Sequence, residues 1–224
     1  MAVTDAAITH IKDMILNGAL SPGDRLPPEK ELSEKLGLSR SSLREAVKAL
    51  ELIRVLDVRR GDGTYVTSLE PGLLAEAMGF VVDLHRDSSV LELLEVRRIL
   101  EPSCAGLAAQ RRLDEHLELL DASIAKVNAG TDLPSLIEHD LEFHAIIAEA
   151  AKNSYLATLL EALSSKTVRA RVWRGLTQDH AVQRTLDEHQ AIVSAIRDSD
   201  TDLAKALVTA HISGVENWLR RSTT

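Results

Sequence analysis

Period-two patterning occurs once in this chain, between Val55 and Thr67, and the segments on either side run at helical period. VLDV (55–58) alternates apolar and polar residues, RRGDG (59–63) has the composition of a hairpin turn, and TYVT (64–67) supplies a second short strand. A lone two-stranded ribbon is barely stable in water and must lean on neighbouring helices. The chain is thereby restricted to a small helical unit carrying a β-ribbon, followed by helices alone.

Upstream of the ribbon three helices are predicted. From Thr4 to Asn17 the residues Ile8, Ile11 and Ile15 recur at helical spacing, and Gly18 stops the run. PGDRLPPE (22–29) reads as a turn that places Pro28 at the first position of a second helix, with Glu29 and Glu31 where the helix dipole favours acids. That helix reaches about Leu36 and stops at Gly37. Ser39 then caps a third helix with an apolar stripe of Leu43, Ala46, Val47 and Leu50, while Arg40, Ser41, Arg44 and Lys48 occupy the opposite face. Beyond Ser68 the helical periods fall at 72–85, 89–112, 114–128, 133–151, 154–175, 181–197 and 202–220. The fold class expected is mainly α, with a winged helix-turn-helix over residues 1–68 and an all-α bundle over 69–224.

Charge supports this division. The chain carries a net charge of −8, yet residues 1–67 hold ten Lys/Arg against ten Asp/Glu, so the whole deficit lies in the C-terminal part. A neutral N-terminal unit can present a basic face to nucleic acid, and an acidic bundle serves some other purpose. The third helix suits the major groove, because arginine and lysine reach phosphates or guanine edges and serine hydroxyls serve either. A wing tipped by Arg59, Arg60 and Gly61 can reach the flanking backbone or minor groove. No apolar run approaches the roughly 18 residues of a membrane span and no leader pattern opens the chain, so a cytoplasmic protein is expected. The single cysteine, Cys104, stands among Leu100, Leu107 and Ala108 and reads as a small core residue.

The bundle contains polar residues where apolar ones are expected. In the segment 133–151, Asp140 and His144 lie four apart on one face and interrupt the stripe of Leu133, Leu136, Ile137, Ile147 and Ala151. His189 begins a stripe continued by Ile192, Val193 and Ile196, and His211 sits within Leu203, Leu207, Val215 and Trp218. Both histidines stand eleven residues from Asp200, the midpoint of the DSDTD turn, so an antiparallel hairpin sets them side by side. A buried carboxylate needs compensation. One carboxylate and three imidazoles suit a divalent ion, zinc first and nickel, manganese or iron after it; a hydrogen-bonded Asp–His network without metal is the alternative. The other histidines, His10, His85, His116, His139 and His180, show no such convergence and are expected at the surface. Arg97, among Leu93, Val96, Leu100 and Cys104, either pairs with Glu101 one turn on or clamps the carboxylate of a ligand. Arg169, Arg171, Trp173 and Arg174 either line the same pocket or form a solvated face.

The run PGDRLPPEKELSEKLGLSRSSLREAVKALE, followed by GDGTYV, resembles the DNA-binding domain of the GntR family over essentially all of residues 5–67. The resemblance implies operator contacts at Lys30, Ser39, Arg40, Ser41, Ser42, Arg44, Arg60 and Gly61. Arg54 departs from the pattern, standing where the family usually has glycine. The sequence D-x-x-x-H with two later histidines, together with EVRRILEP (95–102), NSYL (153–156) and DEHQAIVSAIRDSD (187–200), resembles the FCD ligand-binding domain of FadR-type GntR regulators over about 72–220. The segment 72–85 suggests the seven-helix branch. By that resemblance the metal forms the floor of an effector pocket, and the fold is a homodimer joined through this domain.

The function expected is therefore a ligand-controlled regulator, a repressor of a carbon or organic/sugar-acid operon. It would bind near-palindromic operator DNA and be switched by a small carboxylate at the metal. It is not expected to be an enzyme. Two other readings remain at this point: a metal sensor, and a metalloenzyme with a DNA-targeting unit, against which no further inward acid stands out as a general base.

Overall fold

A computed structural model describes residues 3–72, 90–128, 130–177 and 181–222. The chain divides into two compact units, Met1–Leu74 and Ala75–Thr224.

In the first unit, α1 (Val3–Leu16), α2 (Glu29–Leu36) and α3 (Arg40–Leu52) precede the antiparallel pair β1 (Leu56–Arg59) and β2 (Gly63–Val66). The core is made by the stripes seen in sequence: Ile11 of α1, Leu32 of α2, and Leu43 and Leu50 of α3 close on Leu56 and Val66 of the ribbon. Helix boundaries follow local chemistry. Gly37 ends α2 in the left-handed region at φ 64°, and Ser39 caps α3 by accepting the Ser42 N–H at 3.1 Å. Pro28 is the N-cap of α2, one position earlier than expected. The segment 22–29 is more than a turn. Gly23 N–H donates to Val66 O, Val66 N–H to Asp24 O and Leu26 N–H to Thr64 O, at 2.8–2.9 Å, so this stretch lies along β2 as a third, short edge. That pairing shields the ribbon's free edge.

Arg54 stands between α3 and β1 at φ 60°. Its carbonyl accepts the Thr67 hydroxyl at 2.7 Å, which pins the turn. An L-residue there is strained, so Arg54→Gly should be more stable than Arg54→Ala by about 1 kcal/mol, because alanine keeps the strain and glycine relieves it. Urea denaturation of the two variants measures this, and equal midpoints would refute it.

The second unit shows α4 (Val90–Arg111), α5 (Asp114–Ala125), α6 (Leu133–Ala150), α7 (Ser154–Thr177), α8 (Ala181–Arg197) and α9 (Thr201–Ser222). The helix expected at 72–85 lies outside the described residues. The core joins Phe143, Ile146 and Ile147 of α6 to Ile192, Val193 and Ile196 of α8, to Ala204, Val208 and Ile212 of α9, and to the small residues Cys104, Ala105 and Ala108 of α4. Small residues on α4 let α9 approach closely. At Gly106 an added Cβ would lie 2.5 Å from Lys205 Cε, so the lysine side chain would have to move aside. Helices α8 and α9 form the antiparallel hairpin anticipated around Asp200. Nine helices and two strands are present among the described residues, and no helix there is long and apolar enough to cross a membrane.

Candidate functional site

On α3 the buried Leu43, Ala46 and Leu50 hold the helix against the unit's core, leaving Arg40, Ser41, Arg44 and Lys48 exposed on the far side. Lys30 of α2 and Arg60 of the wing are exposed as well. Gly61 makes the wing turn at φ 77°. The serines differ in freedom: Ser39 Oγ, besides capping the helix, lies 2.8 Å from Ser42 Oγ and 3.0 Å from Ser41 Oγ, so the three hydroxyls form one local cluster. Arg44 donates from Nε to Glu29 at 2.8 Å and Lys48 to Glu45 at 2.9 Å, exposed pairs that a phosphate can replace at little cost. Within the wing, Arg59 lies over the Tyr65 ring at 4.2 Å and bonds Asp57, while Arg25 donates to the Asp62 carbonyl. A Cβ at Gly63 would meet the Arg25 guanidinium, which would have to shift. Arg25 was not among the residues singled out by sequence; it braces the wing tip from the 22–29 segment.

In the second unit Asp140, His144, His189 and His211 converge, one ligand atom from each lying within 4.8 Å of all the others. All four are buried, His189 completely. The i, i+4 spacing on α6 brings His144 Nε2 to 3.7 Å from Asp140 Oδ1, and α8 brings His189 Nε2 to 3.6 Å from the same oxygen. Each imidazole is oriented by what its Nδ1 meets. His144 Nδ1 lies 2.8 Å from Glu101 of α4, His211 Nδ1 lies 2.7 Å from Glu188 of α8, and His189 Nδ1 lies 3.0 Å from His139 Nε2. Every ring therefore turns its Nε2 toward the cluster. Phe143 stacks on His189 with centroids 3.9 Å apart and planes within 5°, fixing that ring's tilt.

The electrostatics favour ligation. Burial, reinforced by His211, His144 and His139, pushes His189 well below the ordinary histidine range; burial likewise lowers His211 against the opposing pull of Glu188. Neutral imidazoles are the form that binds metal. Burial alone would raise Glu101, yet the Arg97 guanidinium and His144 outweigh it and hold this carboxyl well below the usual range. His144 Nε2 and His189 Nε2 find no hydrogen-bond partner among the described residues. Two orphaned buried nitrogens beside a buried carboxylate cost several kcal/mol, a deficit that a divalent ion bound at about 2.0–2.2 Å removes once the ligands close by a fraction of an ångström. The donor set fits such an ion.

Arg97 is tied to Glu101 through Nε and to Thr167 Oγ1 through Nη1 at 2.6 Å. Of the two partners weighed from sequence, Glu101 is the one it contacts. Arg171 of α7 reaches further in. Its Nη1 touches Asp140 Oδ2, and its Nη2 donates to Ser164 O at 2.8 Å and to Thr167 Oγ1 at 3.1 Å. Arg97 and Arg171 thus converge on one hydroxyl. Burial and the Arg97 charge disfavour the Arg171 cation, Glu101 opposes them, and Asp140 is the carboxylate it contacts. Arg174 is buried too, whereas the side chains of Arg169 and Trp173 lie outside the described residues. A cleft of about 30 Å³ over Asp140 and His211 is bordered by Ile137, Arg171, Arg174 and Thr185.

Two histidines assigned to the surface are buried. His139, 3% exposed, bridges Ser123 of α5 to His189, and His116, 5% exposed, accepts the Leu113 N–H through Nδ1 at 2.9 Å to close the start of α5. The stripe Leu136, His139, Phe143, Ile146 and Ala150 carried the signal for His139, since α6 is buried on two adjacent faces and only one had been read. His10 is exposed, as expected, and His85 and His180 lie outside the described residues.

Comparison with known proteins agrees with both units. The model of bacterial regulatory proteins of the gntR family matches residues 4–66, and the FCD domain model matches residues 92–214. The chain is 32% identical over 212 residues to the HTH-type transcriptional regulator LutR of Bacillus subtilis, covering 92% of this chain and 96% of that one. It is 28% identical to the galactonate operon transcriptional repressor of Escherichia coli K12, with 98% of each covered, and 30% identical to the Uxu operon transcriptional regulator of the same organism, with 93% and 83% covered. Among solved structures, that of Streptococcus agalactiae GntR superposes with a TM-score of 0.70 at 29% identity, covering 96% of this chain and 99% of that one. The relatives and both domains are those of transcriptional regulators, not enzymes, and a gntR-type helix-turn-helix binds DNA. The chain belongs to the GntR family of bacterial regulatory proteins and is a DNA-binding transcriptional regulator with an FCD domain.

Proposed function

We propose that this regulator is a cytoplasmic, homodimeric repressor whose residues 1–68 hold near-palindromic operator DNA and whose residues 69–224 dimerise and bind a small hydroxy or sugar acid at a divalent metal, zinc first among the candidates. The observation that carries the reading is the convergence of Asp140, His144, His189 and His211, with each imidazole's Nδ1 engaged behind it. A bound ion supplies Lewis acidity and positions for a carboxylate and its α-hydroxyl. The acid's remaining charge would be met by Arg171 and Arg97, which stand together over Thr167 and offer forked donors. The operon named for one relative, galactonate, supports an acid as effector.

The cleft of about 30 Å³ is small for an acid, whose entry would displace side chains of α6, α7, α8 and α9. Binding would then favour one bundle packing over another, which is the differential affinity a switch requires. Arg171 against Asp140 also supports a second reading, a metal sensor: the guanidinium compensates the carboxylate without an ion, and an arriving metal would displace it.

Thermal shift with zinc plus hydroxy acids, sugar acids or dicarboxylates, followed by calorimetry, tests the main reading. Arg171→Ala and Arg97→Ala should each keep zinc but lose about tenfold or more in acid affinity. Unchanged acid affinity in both variants would exclude the arginines as the acid's partners. Operator release by zinc alone, with no acid able to shift it, would favour the sensor.

A further inference from the structure

A line of polar groups leads from the surface of α5 and α6 to the back of His189. Lys126 donates to both Glu142 oxygens at 2.9 and 3.0 Å, Glu142 Oε2 accepts the Ser123 hydroxyl at 2.9 Å, Ser123 Oγ lies 3.0 Å from His139 Nδ1, and His139 Nε2 lies 3.0 Å from His189 Nδ1. Lys126 and Glu142 are well exposed at 60% and 41%, while Ser123, His139 and His189 are buried.

The direction of every hydrogen bond in this line follows from its outer end. A carboxylate only accepts, so the one hydroxyl proton of Ser123 must point at Glu142; otherwise two lone-pair oxygens would face each other at 2.9 Å. With its proton committed, Ser123 Oγ can only accept, and His139 carries its proton on Nδ1. His139 Nε2 is then a lone pair, and His189 must donate to it from Nδ1. A neutral imidazole has one N–H, which leaves His189 Nε2 bare and facing the cluster. Were Glu142 absent, Ser123 could turn its proton to His139 Nδ1, opposed by the Ser123 backbone, which also favours a proton on the His139 ring. Each proton would shift by one site, and His189 would hold its proton on Nε2, where it blocks ligation.

We infer that Glu142, through Ser123 and His139, is a positioning group that sets His189 in its metal-binding tautomer, so that an exposed carboxylate on α6 controls the affinity of the buried site. This rests on the metal-site reading of the previous section. The other two imidazoles are each backed directly by a carboxylate, Glu101 or Glu188. His189 has only a neutral histidine behind it, and the relay brings it the influence of an acid two residues away.

The experiment uses the full chain with zinc as probe, titrated against a chromophoric chelator. Glu142→Ala should weaken zinc by about tenfold or more, the usual range for an outer partner of a metal ligand. Glu138→Ala removes the same charge from the exposed face of α6 one turn away and should change affinity by less than about twofold, in keeping with the screening of exposed charges. The protonation of His189, read by long-range 1H–15N correlation in the metal-free chain labelled at histidine, should move from Nδ1 to Nε2 in Glu142→Ala alone. Equal zinc affinity in the wild type and Glu142→Ala, or an unmoved tautomer, would overturn the relay. If the wild type takes up no zinc, the metal reading falls, and the tautomer measurement still decides the relay by itself.

Discussion

Replacing His189 by alanine should remove the metal and the response to acid in one step while leaving operator binding in place. His189 is fully buried, its Nε2 sits 3.6 Å from Asp140, and its ring is clamped by Phe143 on one side and His139 behind. No other described side chain is placed to take over as a fourth ligand. The loss in zinc affinity should therefore exceed the about 10–100-fold typical of an outer partner, reaching on the order of a hundredfold or more. The metal-free arrangement remains compensated, because Arg171 already touches Asp140. Chelation of the wild type should reproduce the variant's behaviour. Metal analysis and calorimetry with acid check this; stoichiometric zinc at wild-type affinity in His189→Ala would remove the cluster from the mechanism. His189→Asn, closer in volume, guards against a loss due only to misfolding.

Operator binding should fail through the first unit. Arg40→Ala and Arg44→Ala should each weaken it by about 1–3 kcal/mol per recognition helix, about 10–100-fold, with zinc and acid binding unchanged. Both lie opposite the stripe of Leu43, Ala46 and Leu50, so truncation leaves the core alone. They are not equivalent. Arg44 must give up its exposed pair with Glu29, so Arg40 is expected to show the larger effect. Fluorescence anisotropy on an operator fragment reads both, and its stoichiometry should be two chains per near-palindrome. Undiminished affinity in both variants would exclude α3 as the reading helix, and one chain per site would exclude the dimer.

The two units differ in how far their sequences could be followed. The wing, the Ser39 cap and the apolar stripes of α1 and α3 are local properties, set by two- or 3.6-residue periods and by side chains bonding their own neighbours. The turn in the 22–29 segment is legible in sequence, but its pairing along β2 is not, because those hydrogen bonds run to residues about forty positions away. Helix α7 mixes apolar, polar and charged residues without a stripe, so nothing in its period announced that Arg171 points at Asp140 while Arg97 lies behind it with Glu101. His139 was missed for a related reason: its burial depends on α5 covering a second face of α6.

By itself the sequence determined the element order, the family and the two pairs that meet, because an i, i+4 pair on one helix and two histidines equidistant from a turn are each brought together by helix geometry, and all four interrupt apolar stripes. What stands behind those four, the Glu101, Glu188 and His139 partners that choose each tautomer and the arginine that holds Asp140, was decided only by tertiary structure. Each of those groups comes from a different helix or a different face, and only the packing of side chains between helices, which no sequence period encodes, brings them within hydrogen-bonding reach.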